Sequence, residues 1–211
     1  MKTMVFRTLI LVVLLTVVGS AAPEPAVVQG PKLWTANVEF EPLRQIMYQP
    51  TEHAKPRRFW YTILTISNHS RQDIEFYPQC DLMTDTFQIL PAGKLVPPEV
   101  FHLIKARHNS QYPLLESLKA VGSRILQGED NARDIAIVWS DFDPKAKHVK
   151  LFISGLSNET AILRFPSANA SVPEKTAFLR KTLELNFHLK GDSVWRADKD
   201  IAFKGKNWVM R

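Results

Sequence analysis

Apolar and polar side chains alternate over several segments of the chain, with the two-residue period of a half-buried β-strand. In the segment LWTANVEF, the residues Trp34, Ala36, Val38 and Phe40 share one face, and polar residues occupy the other. The segment TLELNFHL at 182–189 alternates without exception. Similar patterns predict strands at 73–77, 134–139, 148–153, 160–165, 193–196 and 200–203. The chain is therefore predicted to be mainly β.

The segment FWYTILTI at 59–66 differs because it is apolar on both faces. This pattern predicts a central strand that is covered on both sides. The run SNHSRQD follows it, and its short polar side chains can hydrogen-bond their own backbone in a tight turn. We therefore interpret the Asn-His-Ser triplet as a turn rather than as the edge of a functional site.

Two segments break the strand pattern. The first, PPEVFHLIKAR at 97–107, begins with prolines and spaces Val100, Leu103 and Ile104 along one helical face. The second, YPLLESLKAVGSRIL at 112–126, spaces its apolar residues by three and four. The strands and these segments together predict an immunoglobulin-like β-sandwich with a short helical insertion at about 97–126 between mid-chain strands. A partly open barrel is the alternative fold.

The first residues have the layout of a secretory signal peptide, with basic residues, an apolar run and then small residues. We predict a signal peptide at 1–22 with cleavage after Ala21 or Ala22, a linker at 23–31, and a single domain at 32–211. The apolar core of about 10 residues is shorter than the ~20 of a membrane-spanning helix, although retention of the leader as an anchor stays open. We expect a periplasmic or extracellular protein without an integral membrane segment in its mature chain.

Charge and cysteine content narrow the function classes. Removal of Lys2 and Arg7 with the leader lowers the formal net charge from +6 to +4. No basic stripe with interleaved aromatic residues indicates nucleic acid as a partner. Cys80 is the only cysteine, so no intramolecular disulfide can form, and we expect a small buried hydrophobe. Nucleotide-binding and serine-hydrolase fingerprints are also missing from the sequence, and we predict no cofactor.

The loop WSDFDPKAKH contains the strongest candidates for catalysis or cation binding, because Asp141 and Asp143 stand two positions apart after a predicted strand. Alternate carboxylates can bind a hard cation, but the further ligands and the glycine of an EF-hand loop are absent. A turn between strands is the favoured interpretation. A hydrolase using these carboxylates remains an alternative function, and no metal site is predicted.

The tryptophans suggest a second alternative, a carbohydrate-binding module with exposed aromatic platforms. We name Trp208 and Trp60 as its ligand-binding residues, although core packing accounts for most tryptophans in such strands. Three Asn-x-Ser/Thr triplets begin at Asn68, Asn158 and Asn169, and all fall in predicted loops. Whether any of them carries a glycan depends on the source of the protein.

The segments AIVWSDFDPKAKHVKLFISGLSN and RKTLELNFHLKGD resemble a group of uncharacterised secreted proteins of planctomycete-type bacteria. The resemblance covers roughly residues 33–211, and SGLSN and RKTLELNF are its most specific pieces. It implies export and an immunoglobulin-like strand layout, and it implies no known activity. We therefore expect an exported, non-enzymatic β-sandwich that acts as an envelope-associated structural or interaction module, with an unknown protein or glycan as its partner.

Overall fold

The computed structural model describes residues 25–30, 32–165 and 174–211. The predicted signal peptide and Asn169 lie outside these residues, as does part of the predicted linker. One α-helix, α1, spans Pro98–His108, and a short 3₁₀ turn spans Asp198–Asp200. The strands are Ala26–Val27 (β1), Asn37–Phe40 (β2), Arg44–Tyr48 (β3), Arg57–Asn68 (β4), Ile74–Glu75 (β5), Gln79–Thr84 (β6), Ile89–Pro91 (β7), Glu116–Ser117 (β8), Arg124–Ile125 (β9), Gly128–Ser140 (β10), His148–Ser154 (β11), Thr160–Phe165 (β12), Lys175–Leu189 (β13) and Ile201–Met210 (β14).

The strands form two larger sheets and one short pair. In sheet A the order is β2-β4-β10-β8, and β3 also pairs with β4. In sheet B the order is β1-β12-β13-β11-β6-β7, and β14 pairs with β13. All pairs are antiparallel except β8 with β10, and β5 pairs with β9 separately. The prediction of a mainly β protein is confirmed.

The two sheets share one hydrophobic core. Sheet A contributes Trp60, Leu64, Ile135, Ile137 and Trp139, and sheet B contributes Leu82, Leu151, Leu183, Leu185 and Phe187. A second cluster lies on the other face of sheet A, where Phe59, Tyr61 and Ile63 meet Val100 and Ile104 of α1. β4 is therefore buried on both faces, as its sequence predicts.

The helix packs on the outer face of sheet A, but the insertion is less helical than predicted. Val100 and Ile104 are fully buried, whereas Leu103, predicted on the same face, is 42% exposed. The predicted helix over 112–126 is wrong, because this segment forms turns and the short strands β8 and β9. Backbone pairing with β10 and β5 outweighs the helical spacing, and Leu114 is left 80% exposed.

Strand β13 extends beyond the core and pairs first with β12 and then with β11. We call β12, the 175–180 part of β13, and β1 the β-arm. Gly155 connects β11 to β12 with φ +85°, and a Cβ there would lie 2.6 Å from the carbonyl oxygen of Tyr77. β1 lies within the predicted linker, so that segment is not structureless. The strand predicted at 193–196 is a turn.

Asn68 organises the turn that the sequence predicts after β4. Its buried amide donates to the carbonyl oxygens of Gln72 and Ile125, and its Oδ1 accepts from the backbone N–H and hydroxyl of Ser70. The enclosed amide leaves no space for a glycan in the folded chain. The triplet is therefore a structural turn.

Replacing Asn68 by Ala is expected to lower the free energy of unfolding by about 2 kcal/mol, because buried backbone groups lose their partners. His69→Ala is the matched control, since the exposed pair of His69 with Glu129 contributes no more than about 0.5 kcal/mol. Urea denaturation of both variants measures the difference. An equal loss in the two variants would show that Asn68 does not hold the turn.

Candidate functional site

The two aspartates named from the sequence have structural partners. Asp141 Oδ1 accepts the indole N–H of Trp60 at 2.7 Å, and Asp143 Oδ1 accepts the backbone N–H of Lys145 at 2.9 Å. The backbone N–H of Ala146 also donates to the Asp143 carbonyl oxygen, which closes a turn. The loop that carries both carboxylates thus has the geometry of a turn between β10 and β11.

The two tryptophans named from the sequence differ in their environment. Trp60 is fully buried and stacks on Phe142 with ring centroids 4.7 Å apart, so it offers no platform to a ligand. Trp208 is 37% exposed, and the Lys181 ammonium lies 5.3 Å from its ring centroid. Trp195 is far more exposed, at 84%, and it lies in the turn that the alternating pattern misidentified as a strand.

Other groups named from the sequence are engaged or buried. Cys80 is buried, and burial raises the pKa of its thiol far above the ordinary value, which disfavours the nucleophilic thiolate. The side-chain amide of Asn158 donates to the Lys32 carbonyl oxygen and accepts from the backbone N–H of Trp34. Within the described residues, no group of three or more acidic, histidine or cysteine side chains is arranged to hold a metal ion.

An apolar cleft lies between the start of α1 and the outer face of sheet A. We call it the α1 cleft, and its volume is about 350 Å³. Ala136 and Val138 of β10 form its floor, and Phe101 of the helix forms one wall. The remaining lining residues are Gly93, Val96, Pro97, Pro98, His102, Ser117, Leu118, Lys119 and Ala120. Its walls therefore come from the helix and from the turn that follows β8.

Local sequence explains why this cleft stays open. Pro97 and Pro98 set the start of the helix, because a proline at the first helical position lacks only an N–H that would have no partner. The Gly93 N–H donates to the carbonyl oxygen of Val138, which ties the preceding turn to β10. Small side chains at Ser117, Ala120 and Ala136 leave space where larger ones would pack.

The rim of the α1 cleft is basic. His102 and Lys119 are both exposed there, and none of the described residues that line the cleft is acidic. Lys119 forms no salt bridge within the described part of the chain. The cleft therefore combines an apolar interior with a positive edge.

A polar cluster fixes the opposite end of α1 to sheet A. Arg107 donates to the Tyr61 hydroxyl at 3.2 Å, and that hydroxyl lies 3.0 Å from Nε2 of the buried His108. The Tyr61 oxygen accepts from Arg107, and the tautomer of His108 decides whether the hydroxyl donates to Nε2 or accepts from it. Tyr112 extends this cluster by donating to Glu41 Oε1 at 2.8 Å.

The cluster perturbs the pKa values of its members. Burial, together with the nearby charges of Arg44 and Arg107, lowers the pKa of His108. Burial raises the pKa of Glu41, but hydrogen bonds from Tyr112 and Arg44 outweigh it and hold the pKa below its ordinary value. Burial and the hydrogen bond to Glu41 raise the pKa of Tyr112 to about 12.

These shifts have a structural cause, because every member contacts another member or the backbone of β3. Arg107 also donates to the Gln45 carbonyl oxygen, and Arg44 forms a salt bridge with Glu41 at 3.0 Å. The cluster anchors the helix, and the α1 cleft at the other end of the helix is open to a ligand. The sequence predicted the insertion, but no pattern in it predicts that Glu41, Tyr61 and Tyr112 lie together in the cluster at the end of α1.

Comparisons of the chain with protein-family models, with curated protein sequences and with solved structures each found no match. Among the described residues, no helix has the length and apolar character needed to cross a membrane.

Proposed function

We propose that this protein is an exported, non-enzymatic binding module of the cell envelope, and that it binds its ligand in the α1 cleft. The leader sequence and the likeness to secreted planctomycete-type proteins support export. The observation that carries the proposal is the apolar cleft with its basic rim, since such clefts are the usual form of small-molecule sites.

We also propose that the fold is an immunoglobulin-like sandwich. In that fold one sheet has the strand order A-B-E-D, and the other contains C, F and G. The order β2-β4-β10-β8 corresponds to the first sheet, and β6-β11-β13 corresponds to the second, with β7 in the place of C′. The chain departs from the pattern in the parallel pairing of β8, in the additional strand β14 and in the lack of an inter-sheet disulfide.

The proposed ligand is a small molecule with an apolar body and an anionic head. The apolar body gains free energy by leaving water for the surfaces of Phe101, Leu118 and Val138. The anionic head would lie beside Lys119 and His102, where a cation would be repelled. A medium-chain carboxylate fits these requirements.

The absence of an enzymatic role is also part of the proposal. The cleft lining contains one serine and one histidine with catalytic potential, Ser117 and His102. Ser117 Oγ accepts the Ala120 N–H, and no described contact joins it to a base. This arrangement supports binding rather than covalent chemistry.

The test uses the fluorescent probe 1-anilinonaphthalene-8-sulfonate, which has an aromatic body and an anionic head, with decanoate as the competitor. We expect Ala120→Phe to fill the cleft and weaken probe binding by about tenfold or more, which is about 1.4 kcal/mol. Ala106→Phe, on the exposed side of α1, is the matched control and should bind the probe as the unaltered protein does.

Charge is tested separately. Lys119→Glu should weaken binding of both the anionic probe and decanoate and favour displacement of the probe by decylamine, whereas Lys199→Glu, at an exposed lysine outside the cleft, should change none of these. Thermal melts confirm that each variant is folded, because partly unfolded chains also bind this probe. Probe binding that is unchanged by Ala120→Phe would refute the α1 cleft as the binding site.

A further inference from the structure

A second cleft lies on the outer face of sheet B, on the side of the molecule away from α1. We call it the arginine cleft, and its volume is about 320 Å³. The side chains that matter for its chemistry are Gln79, Asp81, Phe152, Phe178, Arg180 and Arg211. It lies where the β-arm leaves the core, and it shares no lining residue with the α1 cleft.

The strand pairing places both arginines in this cleft. The backbone of Arg180 in β13 exchanges two hydrogen bonds with that of Arg211, at 2.7 and 3.0 Å. The guanidinium carbon of Arg211 lies 4.0 Å from the ring centroid of Phe152, so the ring supports the guanidinium plane. Phe178 lies two positions before Arg180 on the same strand and therefore on the same face of the sheet.

Among the described residues, the charged side chains of the cleft have no ion-pair partner. Within the part of the chain that the structure describes, neither Arg180 nor Arg211 forms a salt bridge, and the side chains of Asp81 and Gln79 form no hydrogen bond. Two guanidinium groups thus offer donors to an oxyanion, while one carboxylate accepts from donors. A complementary ligand carries both an acidic group and hydrogen-bond donors.

The exposed aromatic ring adds a second requirement. Phe178 is 73% exposed, so its ring is accessible to a ligand beside the charged groups of the cleft. A flat ring of this kind can stack on the apolar C–H face of a sugar. The hydroxyl groups of a sugar donate and accept, so they can satisfy Asp81 and Gln79 together.

The exposure of the lining indicates a unit of a polymer rather than a free small molecule. Small ligands are commonly buried over 70 to 90% of their surface, roughly, in their sites. Arg180, Arg211 and Phe178 are all exposed, so the cleft covers one face of its ligand only. A chain that continues beyond the cleft can add contacts along the β-arm.

We propose that the arginine cleft binds a uronic acid unit of an acidic polysaccharide. The carboxylate of the sugar pairs with Arg180 and Arg211, its ring stacks on Phe178, and its hydroxyls donate to Asp81. An acidic peptide fits less well, since it supplies carboxylates to the guanidinium groups and backbone N–H donors to Asp81 but no sugar ring to stack on Phe178. This site is independent of the α1 cleft.

The experiment measures binding of oligogalacturonate to the folded protein by calorimetry, beside its methyl ester, a neutral oligosaccharide and polyglutamate of matched length. We expect oligogalacturonate to bind at least about tenfold more tightly than the methyl ester, because the ester removes the charge and keeps the ring. The neutral oligosaccharide and polyglutamate should bind more weakly than oligogalacturonate.

Variants then locate the site. Arg180→Gln and Arg211→Gln should each weaken binding by about tenfold, and Phe178→Ala by about fivefold or more. Arg124→Gln and Trp195→Ala, an exposed arginine and an exposed tryptophan outside the cleft, should leave binding unchanged. Ala120→Phe in the α1 cleft should also leave it unchanged, which separates this proposal from the proposed function.

Three results would overturn the proposal. Equal binding of the methyl ester would exclude recognition of the carboxylate. Polyglutamate binding that is as tight and as sensitive to Arg180→Gln would assign the cleft to an acidic peptide. Loss of binding in Trp195→Ala but not in Phe178→Ala would place sugar recognition at the opposite end of sheet B.

Discussion

Trp60→Ala is expected to lower the free energy of unfolding by about 3 to 5 kcal/mol, which is the usual cost of truncating a large buried aromatic side chain. Trp60 is fully buried in the shared core, stacks on Phe142 and donates its indole N–H to Asp141. The variant leaves a cavity and also removes the donor. Chemical denaturation monitored by far-UV circular dichroism measures the loss.

The neighbouring strand supplies a matched control for the hydrogen bond. Trp139 lies directly opposite Trp60 in the β4–β10 pair and is equally buried, but its indole N–H has no partner among the described residues. Trp60→Phe should therefore cost about 1 to 2 kcal/mol more than Trp139→Phe, because only the former breaks a hydrogen bond. An equal cost for the two substitutions would show that the Trp60–Asp141 bond contributes nothing.

A double-mutant cycle assigns the role of Asp141. Asp141→Ala should cost about 1 to 3 kcal/mol, because it leaves the buried Trp60 N–H without an acceptor. In the Trp60→Phe background the same substitution should be nearly neutral. Asp143→Ala, which removes only a turn contact to the Lys145 N–H, is the control and should cost less. Full additivity of Trp60→Phe and Asp141→Ala would contradict the structural role of this carboxylate.

The elements that the sequence predicted well are those whose local pattern and tertiary environment agree. The two apolar faces of 59–66 meet two real layers, the sheet B core on one side and α1 on the other. The alternation at 182–189 corresponds to the buried half of β13, where Leu183, Leu185, Phe187 and Leu189 face the core. Burial stabilises such strands, and the pattern of apolar residues in the sequence reflects that burial directly.

The errors arise where a distant partner decides the local structure. The segment 112–126 has helical spacing, but pairing of 116–117 with β10 and of 124–125 with β5 gives it extended backbone. The predicted strand at 200–203 covers only the start of β14, because half of the residues of β14 are exposed and its pairing with β13 carries no hydrophobic period. Short-range patterns do not contain these contacts.

The sites illustrate the same limit. Tyr112 reaches Glu41 across 71 positions, and Arg211 lies over Phe152 from the far end of the chain. Trp60 and Asp141 are candidate functional residues in the sequence because of their residue types. In the structure they are hydrogen-bonded to each other instead. The two clefts depend on which faces of the sheets remain uncovered, and the amino-acid sequence does not predict which faces these are.

Acid is expected to destabilise the protein in two steps that belong to the polar cluster under α1. The folded pKa of His108 is lowered, so the unfolded chain binds the extra proton first as the pH falls below about 6.5. Stability is then lost until the pH passes the lowered folded pKa. The pKa of Glu41 is also lowered, so its contribution is present above its ordinary carboxyl range and is lost as the pH falls through the folded value.

Two variants separate these steps, and both are made in a His188→Gln background because the pKa of His188 is also lowered, by partial burial and by the neighbouring His148. His108→Gln should remove the part of the loss of stability below about pH 7 that comes from His108, since an amide does not titrate there. Glu41→Gln should cost about 1 to 3 kcal/mol at pH 7, because Arg44 and Tyr112 lose a charged acceptor. It should reduce but not abolish the step below about pH 4.5, because the pKa values of Glu159 and Glu184 are also lowered. Urea titrations from pH 3.5 to 8 measure both steps. An unchanged profile in His108→Gln would mean that His108 is solvated, and the helix would then be anchored without it, by Arg107 and by the buried Val100 and Ile104.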